Sequence, residues 1–300
     1  MASPARWPGG SAALYVDVTA VRRLVGVLAS SVLAAGVGFA ATIIIARYFG
    51  ATDFGFLASM TSLWALLSPL LALGAGRLLL RARARAEPAL AAWVLGRGAL
   101  LTGGLLLIVV ALIVVAGPAL YARDSHLFLL ASVSLVSLVL QDPAKAVFQA
   151  RDDYIGLAWW QLLPPSARFV AIGLTWLAGT SFLGFMMLYA LTETLVIVAA
   201  LIYLSSYRRG LHAQRALAEP VSIRRDFLRQ GVPFALSGML YTIYYQLDVL
   251  MLGLMVDLEQ AGLYKAAFVF VAAAYLLPGT FFQRYLLSRI FRWWEDGTDL

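Results

Sequence analysis

From Leu105 to Val115 the chain carries no polar side chain at all. A helix in water keeps one polar face, and a strand in a membrane barrel alternates apolar with polar residues. This stretch does neither, so it reads as a helix surrounded by hydrocarbon. The same texture recurs over roughly 24–46, 54–76, 98–117, 127–147, 157–178, 183–205, 231–255 and 260–282. A spanning helix needs about 20 apolar residues, so the sequence predicts an all-α polytopic membrane protein with eight transmembrane helices. The third is expected to start a turn or two earlier, because Pro88 after Glu87 suits a first helical position. The first is too long for the h-region of a secretory signal, about 7–15 residues, and its flanks show no cleavage site.

Composition agrees: 62% hydrophobic, 13% charged, mean hydropathy +0.83, against about 45–50% apolar and about 25% charged in ordinary globular chains. A soluble enzyme, a coiled coil and a disordered tail are excluded together. There is no cysteine, hence no disulfide or thiolate site. His126 and His212 lie far apart and form no ligand cluster, so no metal site is expected. No cofactor is expected either: there is no phosphate-cradling GxxxxGK[ST], and Gly74-Ala75-Gly76 is too short for a dinucleotide fingerprint. With no paired carboxylates on one helix face, the chain reads as a non-enzyme.

The net charge of +7 is membrane topology, not a nucleic-acid surface. With the N-terminus inside, 19 Lys and Arg residues fall on the cytoplasmic side and only Arg47 and Arg123 outside, as the positive-inside rule requires. Both termini are then cytoplasmic. Membrane lipid is an expected partner, anionic inner-leaflet lipid especially, and nucleic acid is not. Trp93, Trp159, Trp160, Trp293 and Trp294 fall near the cytoplasmic boundary as interfacial anchors. The expected organisation is a cytoplasmic segment 1–23, a six-helix bundle 24–205, a basic linker 206–230, two further helices 231–282 and a cytoplasmic segment 283–300. The outer loops are about seven, nine, four and four residues, too short for a folded domain.

Gly55 to Leu80 resembles Gly262 to Leu287 at an offset of 207: Gly55 pairs with Gly262, Arg77 with Arg284, Leu79 with Leu286 and Leu80 with Leu287. This is either a parallel repeat about the membrane normal, as in some transporters, or generic membrane grammar of glycine before a helix and arginine after it.

Four ionisable residues fall within spans: Arg168 and Glu193 near the midplane, Asp248 and Lys265 nearer the outer surface. Such groups cost about 2.5–3.5 kcal/mol at the bilayer centre on insertion scales, and normally face a bundle interior or a wet cavity. Their neighbours form stripes: Ser134, Ser137, Gln141 and Lys145; Gln161, Arg168 and Thr175; Tyr189, Thr192 and Glu193; Ser237, Tyr241, Tyr244 and Asp248. Four stripes point to one shared cavity. Arg168, Lys265, Arg77, Tyr241 and Tyr244 are its substrate-binding candidates, with Glu193 and Asp248 as coupling or charge-pair groups. Plainer readings stand beside these: an Asp248–Lys265 structural ion pair, a protonated Glu193, and an Arg77 that snorkels from a helix end. Ser30, Ala34, Gly38, Thr42 and Ala46, four apart, read as a helix-packing face. Pro69, Pro164, Pro165 and Pro278 are expected to kink their helices.

ATIIIARYFGATDFGFLASM (Ala41 to Met60) resembles the opening helices of bacterial polysaccharide and O-antigen flippases. GVPFALSGMLYTIYYQLDVLMLG (Gly231 to Gly253), followed by QAGLYKAAF (Gln260 to Phe268), resembles the opening of that family's second lobe. These flippases belong to the multidrug/oligosaccharidyl-lipid/polysaccharide exporter superfamily. The resemblance implies two six-helix lobes around a central cavity in the cytoplasmic (inner) membrane. Alternating access there moves undecaprenyl-pyrophosphate-linked oligosaccharide outward for cell-surface polysaccharide, lipopolysaccharide O-antigen included. It implies a cation-lined cavity, for which Arg168 and Lys265 are available, and Asp248 matches the acidic residue of the second-lobe entry helix. Polysaccharide polymerase and glycosyltransferases are the implied protein partners. The family usually has twelve to fourteen spans, so the chain is expected to be either its N-terminal two-thirds, truncated after Leu300, or a degenerate gene product. The alternatives are a drug/cation antiporter of the same superfamily, a membrane-embedded glycosyltransferase or polymerase, and a non-transporting subunit of a polysaccharide assembly complex.

Overall fold

The computed structural model describes residues 18–212 and 223–281. Among these there are helices and turns and no strand. In chain order they are α1 (Val18–Ala72), α2 (Ala75–Ala84), α3 (Pro88–Trp93), α4 (Ala99–Tyr121), α5 (Ser125–Ala150), α6 (Tyr154–Ala178), α7 (Phe182–His212), α8 (Ile223–Met255) and α9 (Leu258–Phe281). A π turn over Val94–Gly98 joins α3 to α4, and Pro88 opens α3 as expected. The eight stretches expected to span are helical almost throughout. Four helical segments among the described residues are long and apolar enough to cross a membrane: Ala29–Ala72, Pro88–Tyr121, Ser125–Ala150 and Phe182–Leu211. The chain is an all-α, multi-pass membrane protein. Contiguous apolar surface remains uncovered, most of all on α4, where Leu100, Leu107 and Val115 are each more than 70% exposed. In water such a patch would be a liability; in lipid it is the solvated face.

The helices run further than hydropathy indicates. The first two spans form one kinked element, α1, whose arms 18–49 and 51–72 meet at Gly50 (φ 77°, ψ 178°), so the expected outer loop of seven residues contracts to a corner. The left-handed φ makes glycine the natural residue there. A second corner at Leu73 and Gly74, both with positive φ, ends α1 and starts α2, a short helix absent from the sequence reading. Its Leu78, Leu79 and Ala82 are buried while Arg77 and Arg83 are exposed. The linker expected over 206–230 is partly helical too, since α7 and α8 extend into it. Side chains set the other ends: Asp153 accepts from the Gly156 amide at 2.8 Å, Asp257 accepts from the Gln260 amide at 2.7 Å, and Gly179 closes α6 in the left-handed region. These are the usual remedies for unpaired helix-end groups.

Two apolar cores fill the bundle. One, rich in aromatics, gathers Phe56, Trp64, Phe128, Phe185 and Tyr189. The other lies toward the basic end and gathers Leu78, Trp93, Val147, Phe148, Trp160 and Phe227. Trp93 and Trp160 are therefore core residues, not interfacial anchors. Trp93 packs on Phe227 of α8 with ring centroids 4.7 Å apart. Trp159 is exposed, as an anchor should be; Trp293 and Trp294 lie outside the described residues.

α8 and α9 pack on α1 through small residues. A Cβ on Gly55 would strike the Leu258 carbonyl and lie 3.0 Å from the Gly262 nitrogen; one on Gly262 would strike the Ala51 carbonyl and lie 3.0 Å from the Gly55 nitrogen. Residues 51 and 258 differ by 207, as do 55 and 262, so the crossing is reciprocal in the register of the sequence repeat. That symmetry favours a true repeat over generic grammar. The remaining repeat pairs reach positions 284, 286 and 287, outside the described residues. Above the crossing lies a small cluster of Ala58, Val249 and Ala261. The small-residue face on the first arm also packs, with Gly38 facing Pro165; on the second arm, Pro69 faces Gly238 of α8.

Candidate functional site: a polar cavity in the first bundle

Three of the four expected polar stripes converge. A cavity of about 310 Å³ is walled by Gly38 and Trp64 of α1, Ser134 and Gln141 of α5, Arg168 of α6, and Tyr189 and Glu193 of α7. Helical periodicity puts them there: residues three and four apart share a face, and on each helix that face turns inward. Arg168 donates from Nη2 to the Tyr189 hydroxyl at 3.1 Å, and its Cζ lies 5.4 Å from the Tyr189 ring centroid. Tyr189 in turn stacks on Phe185. The guanidinium is thus held by an aromatic residue, leaving its remaining N–H donors for the cavity.

Glu193 is only 4% exposed, and Trp64 1%. Neither the Glu193 Oε2 nor the Trp64 Nε1 has a hydrogen-bond partner among the described residues. Buried polar atoms are nearly always satisfied. Both residues line this one cavity.

Lys265 of α9 does not line this cavity. Its Nζ donates to the Gln246 Oε1 at 3.0 Å, and Ser62 Oγ donates to the same oxygen at 3.0 Å. Ser62 follows Thr61, which faces the Arg168 cavity, so adjacent residues of α1 border the surroundings of the two cations, and Arg168 is within Coulombic reach of Lys265. Neither forms an ion pair among the described residues. Asp248 is not the partner of Lys265: it accepts from the Tyr264 hydroxyl at 2.9 Å, and the two charged groups are served separately.

The fourth stripe does not join the cavity. Ser237, Tyr241, Tyr244 and Asp248 all lie on an exposed face of α8, and Tyr244 is 79% exposed. Tyr241 borders a smaller cavity of about 260 Å³ with Arg77, Asp142 and Phe234. Arg77 Cζ sits 5.4 Å from the Phe234 ring centroid, and the Asp142 carboxylate accepts from the Gly76 amide at 3.1 Å. Arg77 and Tyr241 are thus brought together, apart from Arg168 and Glu193.

Sequence reasoning missed Trp64, Gln246 and Ser62. Gln246 is one position off the α8 stripe, and Ser62 is a single hydroxyl in an apolar run; the faint signal was the polar amide within a span. Among the described residues no group of three or more His, Asp or Glu is placed to hold a metal ion.

The family described as polysaccharide biosynthesis protein matches residues 21–288, nearly the whole chain. No curated protein and no solved structure matches. Members of this family are generally transporters rather than enzymes. With its helical membrane architecture and a polar cavity at bilayer depth, the chain belongs to the polysaccharide biosynthesis protein family.

Proposed function

We propose that the protein flips lipid-linked oligosaccharide repeat units, with an undecaprenyl-pyrophosphate type of carrier, outward across the cytoplasmic membrane by alternating access. Eight spans with both termini inside are the topology this reading uses. The observation that carries it is the pair of cations, Arg168 and Lys265, within Coulombic reach of each other and with no carboxylate ion-paired to them among the described residues. A pyrophosphate head supplies an ion-pair partner for both cations, and Arg168 has the planar donor fork suited to a phosphoryl group. Glu193, buried without a partner for one oxygen, is the group to couple the cycle to a proton or sodium ion. Polymerase and glycosyltransferases are the partners this role entails.

The test is complementation of a strain deprived of its own flippase, reading labelled surface polysaccharide and the lipid-linked sugar accumulating inside. Arg168→Ala and Lys265→Met are each expected to lower export at least about tenfold, since a charge-assisted hydrogen bond contributes about 1.5–3 kcal/mol. Unchanged export by both variants refutes the role of the cations. A second reading, cation/drug antiport, is favoured by the buried Glu193 alone. It requires Glu193→Gln to abolish drug efflux while Arg168→Ala leaves that efflux intact.

A further inference from the structure

A mostly apolar groove lies apart from the polar cavity. It is a trough of about 540 Å³ between α4, α5 and α7, lined by Gly98, Gly103, Leu106, Val139 and Leu201 and ending at Arg208 and Arg209. Three features give it a direction. Its α7 wall runs from Ile197 to Arg208, eleven residues or about 16 Å of helix, which is one leaflet of a hydrocarbon core about 30 Å thick. Small residues, Ala99 and Gly103, open the α4 wall beside Leu106, and a Cβ on Gly103 would meet nothing within 4 Å. At the basic end, Arg208 folds across the π turn: a Cβ on Gly96 would lie 3.4 Å from its Nη2. Neither Arg208 nor Arg209 is ion-paired among the described residues. π turns inside helices are frequent at functional sites.

We propose that this trough binds an anionic phospholipid of the leaflet on the basic side, with an acyl chain along Leu106, Val139 and Leu201 and the phosphate between Arg208 and Arg209. The occupant follows from the lining. A leaflet-deep apolar slot ending in two guanidinium groups with no ion-pair partner among the described residues fits an acyl chain joined to an anionic head. The site lies outside the polar cavity and does not depend on the transport reading.

The experiment uses the full chain, delipidated in detergent and titrated with phosphatidylglycerol, phosphatidylcholine or undecaprenyl phosphate, with native mass spectrometry counting bound lipid. One retained phosphatidylglycerol is expected, phosphatidylcholine binding at least about tenfold weaker. Arg208→Gln with Arg209→Gln is expected to abolish that preference. Gly103→Trp, which fills the slot against open space, is expected to displace the lipid while leaving the melting temperature of the delipidated protein unchanged. Three results overturn the proposal: equal retention of both phospholipids, an equal loss from Arg83→Gln with Arg85→Gln elsewhere on the basic side, or undecaprenyl phosphate binding that phosphatidylglycerol does not compete away.

Discussion

Replacing Gly55 by alanine would set a methyl group against the Leu258 carbonyl, and replacing Gly262 would set one against the Ala51 carbonyl. In both cases the obstacle is backbone, so no rotamer change relieves it and the helices must part. Overfilling a packed interface costs about 1–3 kcal/mol, and loss of close Cα–H···O contacts adds about 0.5–1 kcal/mol each. Each single variant is therefore expected to lose about 2–3 kcal/mol. The two obstacles are opposite sides of one crossing, so helices parted for the first methyl already have room for the second. The double variant is expected to cost little more than either single one, a coupling of about 2 kcal/mol, inside the range for residues in contact. Denaturant melts of the wild type, both single variants and the double variant in one detergent measure it. Gly173→Ala, in the interior of α6 with nothing within 4 Å of its Cβ, is the clash-free control and reports the helix-propensity gain of about 0.5–1 kcal/mol that any such change carries. Additivity to within about 0.5 kcal/mol would refute the reciprocal crossing, and with it the reading of 51–55 and 258–262 as equivalent elements.

Tyr189→Phe removes the acceptor of the Arg168 hydrogen bond and is expected to cost about 1–2 kcal/mol, whereas Arg168→Lys keeps the charge and loses the fork; thermal melts and export, measured side by side, separate the two. The half-buried Asp53–Arg123 ion pair, 2.8 Å long, ties α1 to the turn between α4 and α5, so Asp53→Asn is expected to cost about 0.5–1 kcal/mol, the difference shrinking between 0.1 and 1 M salt. A Cβ on Gly76 would overlap the Asp142 carboxylate, so Gly76→Ala is expected to break the 3.1 Å hydrogen bond and destabilise by about 1–3 kcal/mol; a melting temperature equal to wild type would contradict this.

What could be read from the sequence followed from how each signal is encoded. A helix in lipid is written continuously, as about 20 apolar residues, so helix positions came through. Helix ends did not, because backbone hydrogen bonding continues past the last apolar residue; Arg47 and Tyr48 are helical although hydropathy ends that span at Ala46. The convergence of Arg168, Tyr189 and Glu193 was legible because spacings of three, four and seven fix a face within one helix. Which faces meet is a tertiary fact, and here periodicity misled: the Tyr241 and Tyr244 stripe is as regular as the others yet looks outward. Trp93 and Trp160 misled for a related reason, since an indole near a boundary suits either an interface or a core. The pairing of Asp248 with Tyr264 and of Lys265 with Gln246 has no sequence signature, because matched depth says nothing about direction.

The corner at Gly50 leaves the arms of α1 almost no slack. A long loop would let two neighbouring rods tilt independently; a one-residue elbow forces any tilt of the first, which carries Gly38 against Pro165, to drag the second, which carries Gly55 against Gly262. Lengthening that elbow by a few flexible residues would uncouple the levers while leaving every contact in the bundle intact.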